Sequence, residues 1–136
     1  MIQGVTYILN TDATVQSLVG QNAALTKYKA YPVMAPQDEK VPFSICRMTS
    51  MVLQYKGRSV FECAFLVSSY HINYDDVYAL DNAVLEALVP TRGTYNGINF
   101  GYIEHQGTTD DFVETYGGLY VKNSTFNCSI TRTALT

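Results

Sequence analysis

Apolar positions along the chain repeat at two different periods, and the changes between them divide it into segments. Val5, Ile8 and Leu9 form one helical stripe, and Val15, Leu18 and Val19 form another, with polar Asn10-Thr11-Asp12 between them. Spacings of three and four belong to one face of an α-helix, so residues 5–19 predict two short helical pieces. Thr11 or Asp12 can cap the second, because a side-chain oxygen there accepts from amides left without partners. Gly20 stands just past Val19, where a left-handed closing residue is expected. From Tyr28 the texture changes. Tyr31-Pro32 and Ala35-Pro36 bracket an extended stretch, since each proline disfavours helix in the residue before it. Polar residues 37–40 read as a loop. Residues 32–42 as a whole read as structural, wrapping a sheet edge and limiting unwanted pairing.

Phe43, Ile45 and Met48 then open a long strand over residues 42–55. Lys56-Gly57 marks a turn, and a second strand follows over residues 58–72. In it Phe61, Cys63, Phe65 and Val67 share one face, and Val60, Glu62, Ala64 and Leu66 share the other. The two strands read as a hairpin at the centre of a sheet. Asn73 begins the clearest helix, with Asp75 and Asp76 beside the positive end of its dipole and Pro90 limiting its far end. Val77, Leu80, Val84 and Leu88 make its core-facing stripe, which leaves Asp81 and Glu86 on the solvated side. Beyond it, residues 91–95 and 98–104 flank Asn96-Gly97, a strong two-residue hairpin signal. Residues 112–116 make a short segment and residues 119–131 a long final strand. The apolar phase of that strand breaks between Val121 and Phe126, which predicts a bulge near Asn123. Gly117-Gly118 reads as the turn before it. With no internal repeat or low-complexity linker, residues 1–136 read as one α+β domain. Its sheet is mostly antiparallel with long hairpins, packed by an N-terminal helical segment and one central helix.

Composition agrees with that class. Val, Ile, Thr, Tyr and Phe supply 51 of 136 residues, the set that favours strands. Charged residues are only 15% of the chain, against about 25% in an average globular domain, which excludes a charge-driven disordered chain. No apolar run reaches the roughly 18 residues of a membrane helix. The start of the chain lacks the basic region and apolar core of a secretory signal. Twelve acids against nine bases give a net charge of −3, without the gathered basic patch of a nucleic-acid binder. Cys46, Cys63 and Cys128 have no paired spacing and sit among strand-forming neighbours, so they read as buried free thiols in a reducing compartment rather than a zinc site.

Candidate chemistry is sparse. His71 and His105 have no nucleophile or ligand at a diagnostic spacing, and Asp75-Asp76 read as capping residues. Asp110-Asp111, with Glu104 and Glu114 nearby, form an acidic stretch of the kind that can hold a divalent cation. The spacing matches no calcium loop, so it reads as a solvated loop. Phosphate-binding glycine motifs are absent, and no catalytic, cofactor-binding or metal-binding set emerges. Tyrosine is the unusual residue, eleven copies with no tryptophan. It pairs an apolar ring with a polar tip and is enriched at interfaces. A sheet-rich chain of this composition without an active site points toward assembly.

The segment Tyr31-Pro32-Val33-Met34-Ala35-Pro36-Gln37, followed by Pro42-Phe43, resembles a stretch of the phage tail-completion, or tail-terminator, proteins. Asp12-Ala13-Thr14-Val15-Gln16-Ser17-Leu18-Val19-Gly20 is similar to that family's short helix with its Leu-Val-Gly end. Ala79-Leu80-Asp81-Asn82-Ala83-Val84 falls where the family has its helix, after the strand holding Phe61 to Val67. Thr115-Tyr116-Gly117-Gly118-Leu119-Tyr120 resembles its entry to the last strand. The pieces are collinear over nearly the whole chain. The resemblance implies a non-enzymatic virion protein without cofactor, assembled in the host cytoplasm as a ring, usually a hexamer. Such a ring sits on the head-proximal end of the tail tube, ends tube growth and joins the tail to the head. Its implied partners are copies of itself, the tail tube protein and a head-completion or neck protein, with DNA only passing through the lumen and no membrane involved. Another neck component, or a small ligand-binding or hydrolytic domain using His71 or His105, is the alternative. Loops carry partner contacts, so Lys56, Gly57 and Arg58 at one turn, and Asp110 and Asp111 in the acidic stretch, are the expected contact residues.

Overall fold

Helices and strands follow the two periods of the sequence. The computed structural model describes residues 1–21, 28–35, 40–53, 60–95, 97–114 and 118–132. Two short helices come first, α1 (Ile2–Thr11) and α2 (Ala13–Val19). Asp12 separates them and caps the second, its carboxylate accepting from the Val15 amide at 3.0 Å. Gly20 follows at φ 70°. Strands β1 (Ala30–Pro32), β2 (Phe43–Leu53) and β3 (Val60–His71) lead to helix α3 (Tyr74–Leu88), and β4 (Gly93–Tyr95), β5 (Ile98–Val113) and β6 (Leu119–Arg132) complete the chain. Asn73 caps α3 as expected, accepting from the Asp75 amide at 3.2 Å. Most of the loop expected over residues 37–40, and Asn96 of the expected hairpin turn, lie outside the described residues.

The six strands form one sheet in the order β1-β2-β3-β6-β5-β4. Only β1 runs parallel to its neighbour, and every other pair is antiparallel. β2 and β3 pair as expected, but they are not the centre of the sheet. β6 inserts beside β3, so the central pair is β3–β6, in register from Val60↔Thr131 to His71↔Tyr120. All three helices pack on one face. Cys46, Cys63, Phe65, Val67, Phe126, Cys128 and Ile130 of the sheet join Val5, Leu9, Val15, Val19, Leu80, Val84 and Leu88 of the helices in one core. Phe65 and Phe126 sit opposite each other on the central strands with ring centroids 5.1 Å apart. A stacked aromatic pair adds about 0.5–1.5 kcal/mol beyond its buried area. The three cysteines are buried and form no disulfide.

The fold corrects several expectations. Asp110 and Asp111 are not in a loop: β5 runs unbroken through them to Val113, and they pair with Lys122 and Val121. The short segment expected over residues 112–116 begins as the end of this same strand, and residues 115–117 lie outside the described residues. No bulge occurs in β6 near Asn123. The register shifts fall on β5, between Phe100 and Tyr102 and between His105 and Gly107, and on β2 between Met48 and Ser50. The apparent phase break in β6 has another cause: Lys122 and Ser124 keep the inward phase of Phe126 and Cys128 while being polar. Asp81 is likewise not on the solvated side of α3, being only 3% exposed. Glu86 is exposed as expected.

Candidate assembly surface

The inward polar residues of β6 gather at the end of the sheet where α3 begins. Alternation along β6 puts Tyr120, Lys122 and Ser124 on the helix-facing side. Their β5 partners Phe112, Asp110 and Thr108 stand beside them, and Tyr74 and Tyr78, one helical turn apart on α3, come down from above. Lys122 is 7% exposed, and its ammonium is fully engaged. It donates to Asp110 Oδ1 at 2.6 Å and lies 5.1 Å and 5.3 Å from the ring centroids of Tyr74 and Tyr78. The Tyr74 hydroxyl donates to Asp110 Oδ2 at 3.1 Å. The Lys122 ammonium holds the Asp110 carboxyl below its ordinary range, and Asp110 in turn raises Lys122. Around this pair the aromatic rings are half open to solvent. Tyr74 is 41%, Tyr78 54%, Phe112 49% and Tyr120 37% exposed. Tyr120 packs edge-on to both Tyr74 and Phe112 at 5.6 Å and 5.1 Å. Of the nine described tyrosines only Tyr31 is buried, so most of the tyrosine content is spread near the surface rather than in the core.

A second polar chain runs from this surface into the core. Ser124 donates to the buried Asp81 Oδ1 at 2.6 Å, and Thr108 Oγ1 lies 2.8 Å from both Ser124 Oγ and His105 Nε2. Ser124 has a single proton and gives it to Asp81, so it accepts from Thr108. Thr108 must then accept from His105, which places the imidazole proton on Nε2. Burial raises the Asp81 carboxyl, and its bond from Ser124 and the nearby Lys122 and His105 partly oppose that rise. In this chain Ser124 is fully buried with its proton committed to Asp81, whereas Thr108, whose hydroxyl meets His105, is exposed. His71 is occupied at the start of α3, where its Nδ1 accepts from the Asn73 amide at 3.1 Å and its Nε2 faces Asp76 Oδ2 at 3.7 Å. Burial pushes the Cys46 thiol up to about 12, and a hydrogen bond with Cys63 raises Cys128. Both therefore stay protonated near neutral pH.

Among the described residues, no helix covers the other face of the sheet. Tyr102 donates to Glu62 Oε2 at 2.6 Å there, which pushes the phenol up to about 12. Beside this pair is a shallow depression lined by Ser50, Val52, Ala64 and Asn127. Among the described residues no cluster of three or more His, Cys, Asp or Glu side chains could hold a metal ion. No helix among them is long and apolar enough to cross a membrane.

Of the expected contact residues, Lys56, Gly57 and Arg58 lie outside the described residues. Asp110 and Asp111 are neighbours in sequence but face opposite sides of the sheet: Asp110 joins the aromatic cluster, and Asp111 lies on the helix-free side. Tyr74, Tyr78, Phe112, Tyr120 and Lys122 were not expected as a group from the sequence. A signal existed, since Tyr74 and Tyr78 sit off the apolar stripe of α3 at helical spacing and Lys122 interrupts the inward phase of β6. A further exposed apolar point lies past β1, where Val33 and Met34 are 60% and 72% exposed. Val33 has φ 66°, and the Met34 amide closes a three-residue turn onto Pro32 O at 2.7 Å. A β-branched residue in that conformation is strained by about 1–3 kcal/mol.

No protein-family model matches the sequence, and no curated protein matches it. Among solved structures, the fold is similar to that of a chain in the virion of a native gene transfer agent particle. The two superpose with a TM-score of 0.71 at 15% sequence identity, over 96% of this chain and 94% of that one. At this identity the likeness is one of fold.

Proposed function

We propose that this chain is a structural subunit of a phage or phage-like virion, and that it forms the ring that terminates the tail tube and joins it to the head. The observation that carries this reading is the near full-length likeness in fold to a chain of a virion particle. The collinear resemblance to tail-terminator proteins narrows it to the head-proximal end of the tail. Supporting it is an exposed aromatic cluster suited to protein contacts. A ring of identical subunits uses two different patches that meet head to tail and close by rotation. Its partners are further copies of itself, the tail tube protein below and a head-completion or neck protein above. At −3 per chain, like charge leaves DNA free to slide through the lumen.

The test is to add the purified chain to tail tubes and view them by negative-stain microscopy, and to disrupt its coding sequence in the phage. Rings capping one end of each tube, and overlong or unjoined tails in the disrupted phage, are the expected results. Intact tails on heads that leak DNA would assign it instead to a head-side stopper. Normal virions without it would remove it from the particle's structure.

A further inference from the structure

Both outer long strands of the sheet are only partly covered. β1 pairs with β2 at Ser44, Ile45 and Cys46 alone, and β4 pairs with β5 at Ile98, Asn99 and Phe100 alone. Among the described residues, the outer sides of β2 over residues 47–53 and of β5 over residues 101–113 have no strand partner. Such an edge presents a row of free amides and carbonyls to another strand. The two edges are complementary in direction. β2, β3, β6 and β5 alternate in sense across the sheet, so β5 of one copy laid beside β2 of an identically oriented copy is antiparallel to it. The junction would continue the pattern already present inside each subunit.

The edges are also complementary in charge. Following the register across the sheet, Arg47 pairs with Leu66, Leu66 with Thr125 and Thr125 with Gly107. Arg47 therefore lies on the helix-free side, as does Asp111 two alternations further along β5. Both are exposed, and among the described residues neither has an ion-pair partner. Placing Arg47 opposite Asp111 sets residues 47–53 of β2 against residues 105–111 of β5. This is a stagger of about four residues from level alignment, and a constant stagger is what a tilted, closed sheet requires. It also carries β1 to the end of the neighbouring β5 and keeps β4 off residues 47–53, so neither short strand blocks the contact. On the helix side the same stagger sets Met48, 46% exposed, opposite Asp110, with Phe112, 49% exposed, one alternation further along β5.

We infer that the occupant of the β5 edge is the β2 edge of a second copy of this chain, joined head to tail with Arg47 against Asp111. This rests on the ring reading above and specifies its subunit contact. The test uses two charge reversals, Arg47→Glu and Asp111→Lys, each purified alone and then mixed in equal amounts, with mass photometry and negative-stain microscopy as readouts. Each variant alone places like charges in every junction and should assemble at least about tenfold more weakly than the wild type. In the mixture, the new carboxylate at position 47 meets the new ammonium at position 111 at one junction. Arg47 meets Asp111 at the next, so alternating rings should return. Matching circular dichroism and melting curves establish that the variants fold, and Arg47→Gln and Asp111→Asn should weaken assembly in the same sense but less. Wild-type rings with both reversed variants assembling normally, or a mixture that stays apart, would overturn this contact and leave the ring reading standing. A wild-type chain that forms no ring alone or on tail tubes would overturn both.

Discussion

Asp81 shows how a single polar residue is held inside the core. Its carboxylate is buried under α3 and accepts from Ser124, while burial raises its affinity for a proton. A carboxyl raised in the folded state contributes stability that is fully present below its unfolded value of 3.8 and is lost as pH rises through the folded value. Asp110 has the opposite sign. Its lowered carboxyl contributes stability above 3.8 that is lost as pH falls through the folded value. The two effects occupy different windows, Asp81 above about pH 4 and Asp110 below it. Asp81→Asn keeps an oxygen to accept from Ser124 without a charge to desolvate. Thermal melts should find this variant at least as stable as wild type at pH 7, with its advantage shrinking toward pH 4. A variant that melts well below wild type at pH 7 would show that the charge itself holds the polar chain together. By sequence Asp81 falls on the wet side of α3, because its type sets it off from the Val77-Leu80-Val84-Leu88 stripe. Its burial is made tolerable by groups from distant positions, the inward Ser124 of β6, forty-three positions away in the chain, together with Lys122 and His105.

At the scale of elements, β5 was the least legible strand. Alternation of apolar and polar residues records burial on one face only, and residues 104–112 of β5 are exposed or nearly so on both. By alternation alone it therefore divides into a strand, an acidic loop and a short segment. α3 was legible because its stripe, cap and terminal proline agree. The entry to β6 depends on Gly118, which has φ 95° and stands where an added Cβ would come within 2.8 Å of Phe112 Cζ. Gly118→Ala should cost about 1–3 kcal/mol through backbone strain and also turn Phe112 out of its contact with Tyr120. An alanine at position 107 of β5 meets nothing within 4 Å, so Gly107→Ala should leave the melting temperature nearly unchanged. Equal melting of the two variants would mean that the chain entering β6 relaxes around the new side chain.

At the scale of the whole molecule, the partly covered edges set how the sheet meets its surroundings. Hydrogen exchange on the isolated chain should find the amides of central β3 and β6 slowest and the outward amides of residues 107–113 fast, since no described strand covers them. On ring assembly those outward amides should slow markedly; unchanged exchange in assembled rings would place the subunit contact elsewhere. The amino-acid sequence by itself determined the kinds of element and their order, because helical stripes, alternation and caps such as Asp12 and Asn73 act over a few neighbouring residues. It also carried the α+β class and the resemblance to tail-terminator proteins. Only the tertiary structure decided that β6 lies between β3 and β5, that Lys122, Ser124 and Asp81 are buried together, and that Arg47 and Asp111 stand on opposite free edges. Those outcomes depend on which distant strands pair. A polar residue is stable in the interior only when a partner from another part of the chain meets it there, and local spacing holds no record of that partner.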